Sequence, residues 1–231
     1  MMMYLAANAY PEIQFAVHQC ARFTHCPRHV HAQAVKKICR YLKYALDCNA
    51  GLTLSKEEGY QLDCYVDADF AGLWRQEDDQ DPVCVKSRTG YVFTLAKCPV
   101  LWKSSLQTEI ALSTLESEYI ALTQALRELI PARRLLEEIV KNIDPKGFVN
   151  LPKVKSIIWE DNNGCISTVK APKLTPRTKH IAVKYHFSRS HLNDSVPGRA
   201  NPRFFLDKNA TEKQLADTFT KGLAEDAFVR L

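Results

Sequence analysis

Four carboxylates interrupt stretches that otherwise read as protein interior, and any fold of this chain must accommodate them. Asp67 ends a strand-like run from Tyr60 to Val66, and Glu118 is set into an apolar helical stripe. Asp161 follows Ile157-Ile158-Trp159, and Asp217 lies on a short segment expected to be helical. A buried carboxylate loses its hydration and repels its neighbours unless positive charge joins it. Four such groups on separate elements predict convergence on a shared counter-charge, a pair of divalent metal ions. Metal-dependent phosphodiester cleavage is the chemistry that such a set suits.

The hydrophobic period divides the chain. Residues 1–50 read as helical: Ile13, Phe15, Ala16, Cys20 and Phe23 form a stripe before Pro27, and Ala34, Ile38, Tyr41, Leu42 and Ala45 form another between about His31 and Leu46. From residue 51 the pattern alternates, with Leu62, Cys64 and Val66 against Asp63, Tyr65 and Asp67, which predicts a strand. A polar loop from Trp74 to Pro82 leads to expected strands Gly90–Leu95 and Val100–Ser104 with a turn around Pro99, then a short strand over Glu109–Leu112. A long helix begins at Ser113-x-x-Glu116, a capping box that gives Glu116 a structural task and leaves Glu118 for the candidate site. Pro131 should kink or split that helix. A strand at Lys155–Trp159 with a helix from Asn162 to Val169 follows. A last strand at Arg203–Leu206 precedes a helix from about Glu212 to Lys221, opened by a second capping box at Thr211-x-x-Gln214. The order describes a layered α/β domain.

Composition narrows the setting. The 231 residues are 46% hydrophobic and 25% charged, as in an ordinary globular protein, and no run reaches the length of a bilayer span. The N-terminus lacks the form of a secretory signal, so an intracellular place, cytoplasmic or nuclear, is expected without membrane contact. Eight cysteines in no regular framework read as reduced thiols, and the His and Cys residues between 18 and 31 lack the paired spacing of a zinc site. The net charge of +5 is mild, but Arg127, Arg133 and Arg134 share one helix, and Lys170, Lys173, Arg177, Lys179, Lys184 and Arg189 crowd the stretch after Asp161. With Tyr185, His186 and Phe187 among them, these suit phosphates and sugars, or simply a solvated positive face.

The segments Tyr65-Val66-Asp67-Ala68-Asp69-Phe70, Ser87-Arg88-Thr89-Gly90-Tyr91, Trp102-Lys103-Ser104 and Ser113-Thr114-Leu115-Glu116-Ser117-Glu118-Tyr119 occur in order. Glu160-Asp161-Asn162-Asn163, Arg177-Thr178-Lys179-His180 and Gln214-Leu215-Ala216-Asp217-Thr218-Phe219-Thr220-Lys221 follow them. The series closely resembles the ribonuclease H domain of copia-type retrotransposon polyproteins, over about residues 58–225. Residues 1–50, with Tyr4-Leu5-Ala6-Ala7-Asn8 and Arg40-Tyr41-Leu42-Lys43, resemble the C-terminal tail of the reverse transcriptase of the same polyprotein.

The resemblance implies a ribonuclease H-like mixed five-stranded sheet flanked by helices, with an N-terminal helical appendage. It implies Asp67, Glu118, Asp161 and Asp217 as catalytic metal ligands for two Mg²⁺ ions, Mn²⁺ being a substitute, and hydrolysis of the RNA strand of an RNA–DNA hybrid. Asp69 is the alternative to Asp67; Asp161 alone reads equally as a helix N-cap, and Asp217 as the partner of Lys221 one turn on. Lys103, Ser104, Gln107, Ser113, Thr114, Arg177, Lys179 and His180 are the candidate nucleic-acid contacts, the hydroxyl and amide groups suited to ribose 2′-hydroxyls. The partners implied are the hybrid and the remainder of a reverse transcriptase. The competing reading is a catalytically inactive nucleic-acid-binding remnant, and a DNA-cutting relative is disfavoured by the fourth acid.

Overall fold

The computed structural model describes residues 1–55, 59–74, 83–143, 156–173, 181, 183–192 and 204–231. Its centre is a five-stranded sheet: β1 (Leu62–Asp69), β2 (Arg88–Leu95), β3 (Cys98–Leu106), β4 (Ser156–Glu160) and β5 (Phe204–Lys208), in spatial order β3-β2-β1-β4-β5. β1, β2 and β3 pair antiparallel, whereas β4 and β5 run parallel to β1. The mixed five-stranded sheet implied by the resemblance is present.

Alternation on β1 decides which side is core. Leu62, Cys64, Val66 and Ala68 are buried with Tyr91 and Phe93 of β2 and with Ile158, Phe204 and Leu206. The long helix α4 (Thr114–Ile143) covers this face with Tyr119, Leu122, Ala125, Leu126 and Leu129. The capping box at its start forms in part: Ser113 Oγ accepts from Glu116 N at 3.2 Å, while Glu116 Oε2 accepts from Leu112 N, one residue before the cap, at 2.8 Å.

The opposite face, carrying Asp63, Tyr65 and Asp67, is covered from the other direction. The short helix α7 (Asp217–Thr220) packs on β1, β2 and β3. Gly90, the ladder partner of Asp67, makes that approach possible: a Cβ there would lie 2.6 Å from Thr220 Cγ2 and 2.8 Å from Phe219 Cβ. Three N-terminal helices, α1 (Met2–Asn8), α2 (Gln14–Ala21) and α3 (His29–Asp47), form a small cluster around Ala6, Ile13, Val17 and Ile38. α2 rests on β3 and α7. Behind the parallel strands lie α5 (Asn163–Lys170) and α6 (Phe187–Leu192), and α8 (Glu225–Arg230) ends the chain. Among the described residues, no helix is long and apolar enough to cross a membrane.

Several local expectations change. α4 continues through Pro131, because buried side chains on both sides of it, Leu129 and Arg133 among them, hold one helix. Glu109–Leu112 is irregular rather than a strand. The β2–β3 turn falls at Ala96 and Lys97, both at positive φ (51 and 65), instead of around Pro99. The segment expected to be one helix from Glu212 is a 3-10 turn (Thr211–Lys213) followed by α7, and Gln214 is buried against the sheet instead of capping.

Candidate metal centre

Asp67, Glu118 and Asp161 meet at the end of the sheet where β1 and β4 finish. One carboxylate oxygen from each lies within 4.8 Å of the others, and among the described residues this is the one such group of possible ligands. β1 supplies Asp67 from its α7 face, the second turn of α4 supplies Glu118, and Asp161 follows the last residue of β4. Asp67 and Glu118 are 4% and 6% exposed, and Asp161 is half-buried.

Desolvation dominates the electrostatics. It pushes the Asp67 carboxyl up to about 7, opposed by Lys221 and reinforced by the charges of Asp217 and Asp161. Glu118 is raised well above the usual carboxylate range by burial first, then by Glu160, Asp67 and Asp161. Its Oε2 is buried with no hydrogen-bond partner. A buried carboxylate oxygen without a hydrogen-bond partner, on a residue that meets two other carboxylates, is chemically suited to a cation. The donors are all carboxyl oxygens, which on deprotonation are hard ligands of the kind that Mg²⁺ or Mn²⁺ takes.

Asp217 adjoins this group without belonging to it. Lys221 Nζ lies 2.9 Å from Asp217 Oδ1 and 4.0 Å from Asp67 Oδ2, and Thr220 Oγ1 donates to Asp67 Oδ2. The one-turn ion pair considered from sequence is therefore formed, and it sits beside the other acids. Burial raises the Asp217 carboxyl, with Lys221 pulling it down. Asp69, the alternative to Asp67, folds instead over the following turn: a Cβ built at Gly72 would lie 1.6 Å from Asp69 Oδ2.

The candidate nucleic-acid residues separate by exposure. Lys103 and Thr114 are exposed, and Ser113 is half-buried as the α4 cap. Ser104 is buried and accepts from Arg88 at 3.1 Å; Gln107 is buried and donates to Thr89 Oγ1 and Ser117 O. Both are engaged inside the fold. Arg177, Lys179 and His180 lie outside the described residues. Two basic residues noted for phosphates are buried structural groups: Arg133 reaches Glu137 and Ser156, and Arg189 donates to the carbonyls of Thr168 and Ala171.

Sequence reading missed Glu160. It is fully buried, raised well above the carboxylate range by desolvation, and its Oε1 accepts Asn162 N at 3.0 Å. The signal was present: alternation along Ser156, Ile158 and Glu160 puts it on the core face of β4. Asn162 in turn caps α5 through Cys165 N at 3.0 Å.

The retrovirus-related Pol polyprotein from transposon RE1 of Arabidopsis thaliana is 33% identical over 227 residues, 98% of this chain. That from transposon TNT 1-94 of Nicotiana tabacum is 33% identical over 228 residues, again 98% of this chain. Over nearly its whole length the chain is similar to the Pol polyproteins of copia-type retrotransposons. It spans only 14% and 15% of the length of these two curated relatives. No family model matches. Among solved structures, RNase H1 from the halophilic archaeon Halobacterium salinarum NRC-1 aligns at TM-score 0.38 and 10% identity, covering 69% of this chain and 94% of that one. The five-stranded α/β unit lies within the part of the chain that matches these transposon polyproteins.

Proposed function

We propose that this chain is a ribonuclease H that hydrolyses the RNA strand of an RNA–DNA hybrid, using divalent metal held by Asp67, Glu118, Asp161 and Asp217. The observation that carries the reading is the convergence of Asp67, Glu118 and Asp161 within 4.8 Å, with Glu118 Oε2 buried and unpaired. We also assign residues 58–225 to the nuclease unit and residues 1–50 to the tail of a reverse transcriptase.

Two Mg²⁺ or Mn²⁺ ions bound there would acidify a water and neutralise charge developing on the leaving 3′-oxygen. The residues provide the rest. Asp67, Glu118 and Asp161 form the inner ligand group, and Asp217 extends it once Lys221 turns outward. Thr220 keeps Asp67 oriented by donating to its Oδ2. Lys103 and Thr114, both exposed, are assigned to a sugar–phosphate backbone approaching the acids. Ser104 and Gln107 lend support from within the fold, and Arg177, Lys179 and His180 are assigned to the same backbone on the family pattern.

One observation favours a second reading, a nucleic-acid-binding remnant without turnover. Asp217 stands outside the three-acid group and is held by Lys221. A labelled hybrid incubated with the chain and magnesium separates the two. Cleavage that is lost in Asp161→Asn, with unchanged circular dichroism, is the expected result; equal cleavage by that variant would overturn the site.

A further inference from the structure

β1, which carries Asp67, and β4, which leads into Asp161, stop pairing with one another just before those residues. The β1–β4 ladder has partners at Cys64↔Ile158 and Tyr65↔Trp159, although β1 runs on to Asp69 and β4 to Glu160. The side chain of Gln214 bridges the place where the ladder ends. Its Nε2 donates to Val66 O at 3.0 Å and to Trp159 O at 3.4 Å, and the residue is 0% exposed. Val66 directly precedes Asp67, and Trp159 lies two residues before Asp161. From the same residue, the main-chain carbonyl accepts Asp217 N at 3.1 Å, at the start of α7. One glutamine thus touches β1 just before Asp67, β4 two residues before Asp161, and the start of α7 at Asp217.

Chemistry selects this residue type. A primary amide nitrogen carries two protons and can serve two carbonyls at once. Glutamate would set acceptors against acceptors, asparagine is a methylene shorter, and methionine has the length without a donor. Gln214 leaves its Oε1 buried with no hydrogen-bond partner, a cost that an apolar side chain would avoid. The two donated bonds are what an apolar side chain cannot supply.

We propose that Gln214 is a positioning residue whose side-chain amide fixes the spacing of the β1 and β4 ends, and through it the mutual placement of the metal-binding acids. Its consequence for metal rests on the function proposed above; its geometry rests on the hydrogen bonds alone. Magnesium and manganese sites tolerate little displacement of their ligands, so a loosened fork weakens metal binding before it unfolds the sheet.

The test compares the full chain with Gln214→Met and with Val140→Ala, a core truncation near the end of α4. Manganese binding is titrated by electron paramagnetic resonance, and thermal melts are recorded alongside. Gln214→Met is expected to bind manganese about tenfold more weakly, the scale of lost outer-shell support at a metal site. Val140→Ala is expected to melt earlier with unchanged manganese affinity. Native affinity in Gln214→Met would overturn the proposal, since a merely structural residue moves the melt alone. If Gln214→Met does not fold, hydrogen exchange of the Gln214 side-chain amide in the unmodified chain decides: slow exchange supports the bridge, and exchange at the free-amide rate overturns it. Absence of manganese binding by the unmodified chain would count against the metal reading, leaving that exchange measurement to judge the bridge.

Discussion

Asp67, Glu118 and Glu160 are carboxyls that burial holds protonated above the range where such groups ionise in water. The unfolded chain releases these protons near the ordinary carboxylate pH, whereas folded Asp67 keeps its proton up to about 7. Between those limits the folded state binds more protons than the unfolded one, so stability falls as pH rises. The metal-free protein is therefore expected to melt at a lower temperature at pH 8 than at pH 5, with magnesium recovering most of the loss at pH 8. Melting curves with and without chelator check this, and a melting temperature that rises over that interval would contradict it. At this scale the sequence was readable where a residue had a local task. Glu116 separated from Glu118 through its capping box, which the fold forms in part. Glu160 was hidden because Asp161, its neighbour, fitted the family pattern and drew the assignment. Lys221 was noted only as a one-turn partner of Asp217; its reach toward Asp67 depends on how α7 lies over the sheet.

At the scale of elements, the placement of α7 rests on one missing side chain. Gly90 sits under Thr220 and Phe219, and a Cβ at that position would also lie 3.0 Å from Ala216 O. Gly90→Ala is expected to destabilise the fold by about 1–3 kcal/mol, the usual cost of overpacking, and to lift Asp217 away from the other acids. Its melt should fall and its hybrid cleavage should drop beyond what the unfolded fraction explains; native values of both would contradict the packing. Strands and the long helix were legible because alternation and the 3.6-residue stripe come from buried side chains that the sheet and α4 share. The departures have tertiary causes. Pro131 is tolerated inside α4 since neighbouring turns are anchored in the core. The helix expected from Glu212 gives way because Gln214 finds better partners in Val66 and Trp159 than in its own turn.

For the whole molecule, the N-terminal helices are built into the face of the sheet opposite α4. Trp102 Nε1 of β3 donates to Ala6 O at 2.7 Å, and Arg88 of β2 reaches His18 at 3.1 Å and Gln19 at 3.1 Å. Tyr41 of α3 meets Phe228 of α8 edge-on, with ring centroids 6.0 Å apart. Such contacts link segments far apart in sequence, so the stripes of residues 1–50 showed apolar helices without showing what they rest on. Trp102→Phe should lower stability by about 1 kcal/mol, the scale of one lost hydrogen bond, and leave hybrid cleavage intact; an unchanged melt would contradict the contact. The mixed five-stranded sheet, the three-acid group and the similarity to transposon Pol polyproteins underlie one central proposal, metal-dependent cleavage of RNA paired with DNA. A panel of labelled RNA–DNA hybrid, double-stranded RNA and double-stranded DNA, each incubated with the full chain and magnesium, tests it most directly. Cutting of the RNA strand in the hybrid alone, abolished by chelator, is the predicted result; hybrid that is bound but left intact with magnesium and with manganese would contradict it.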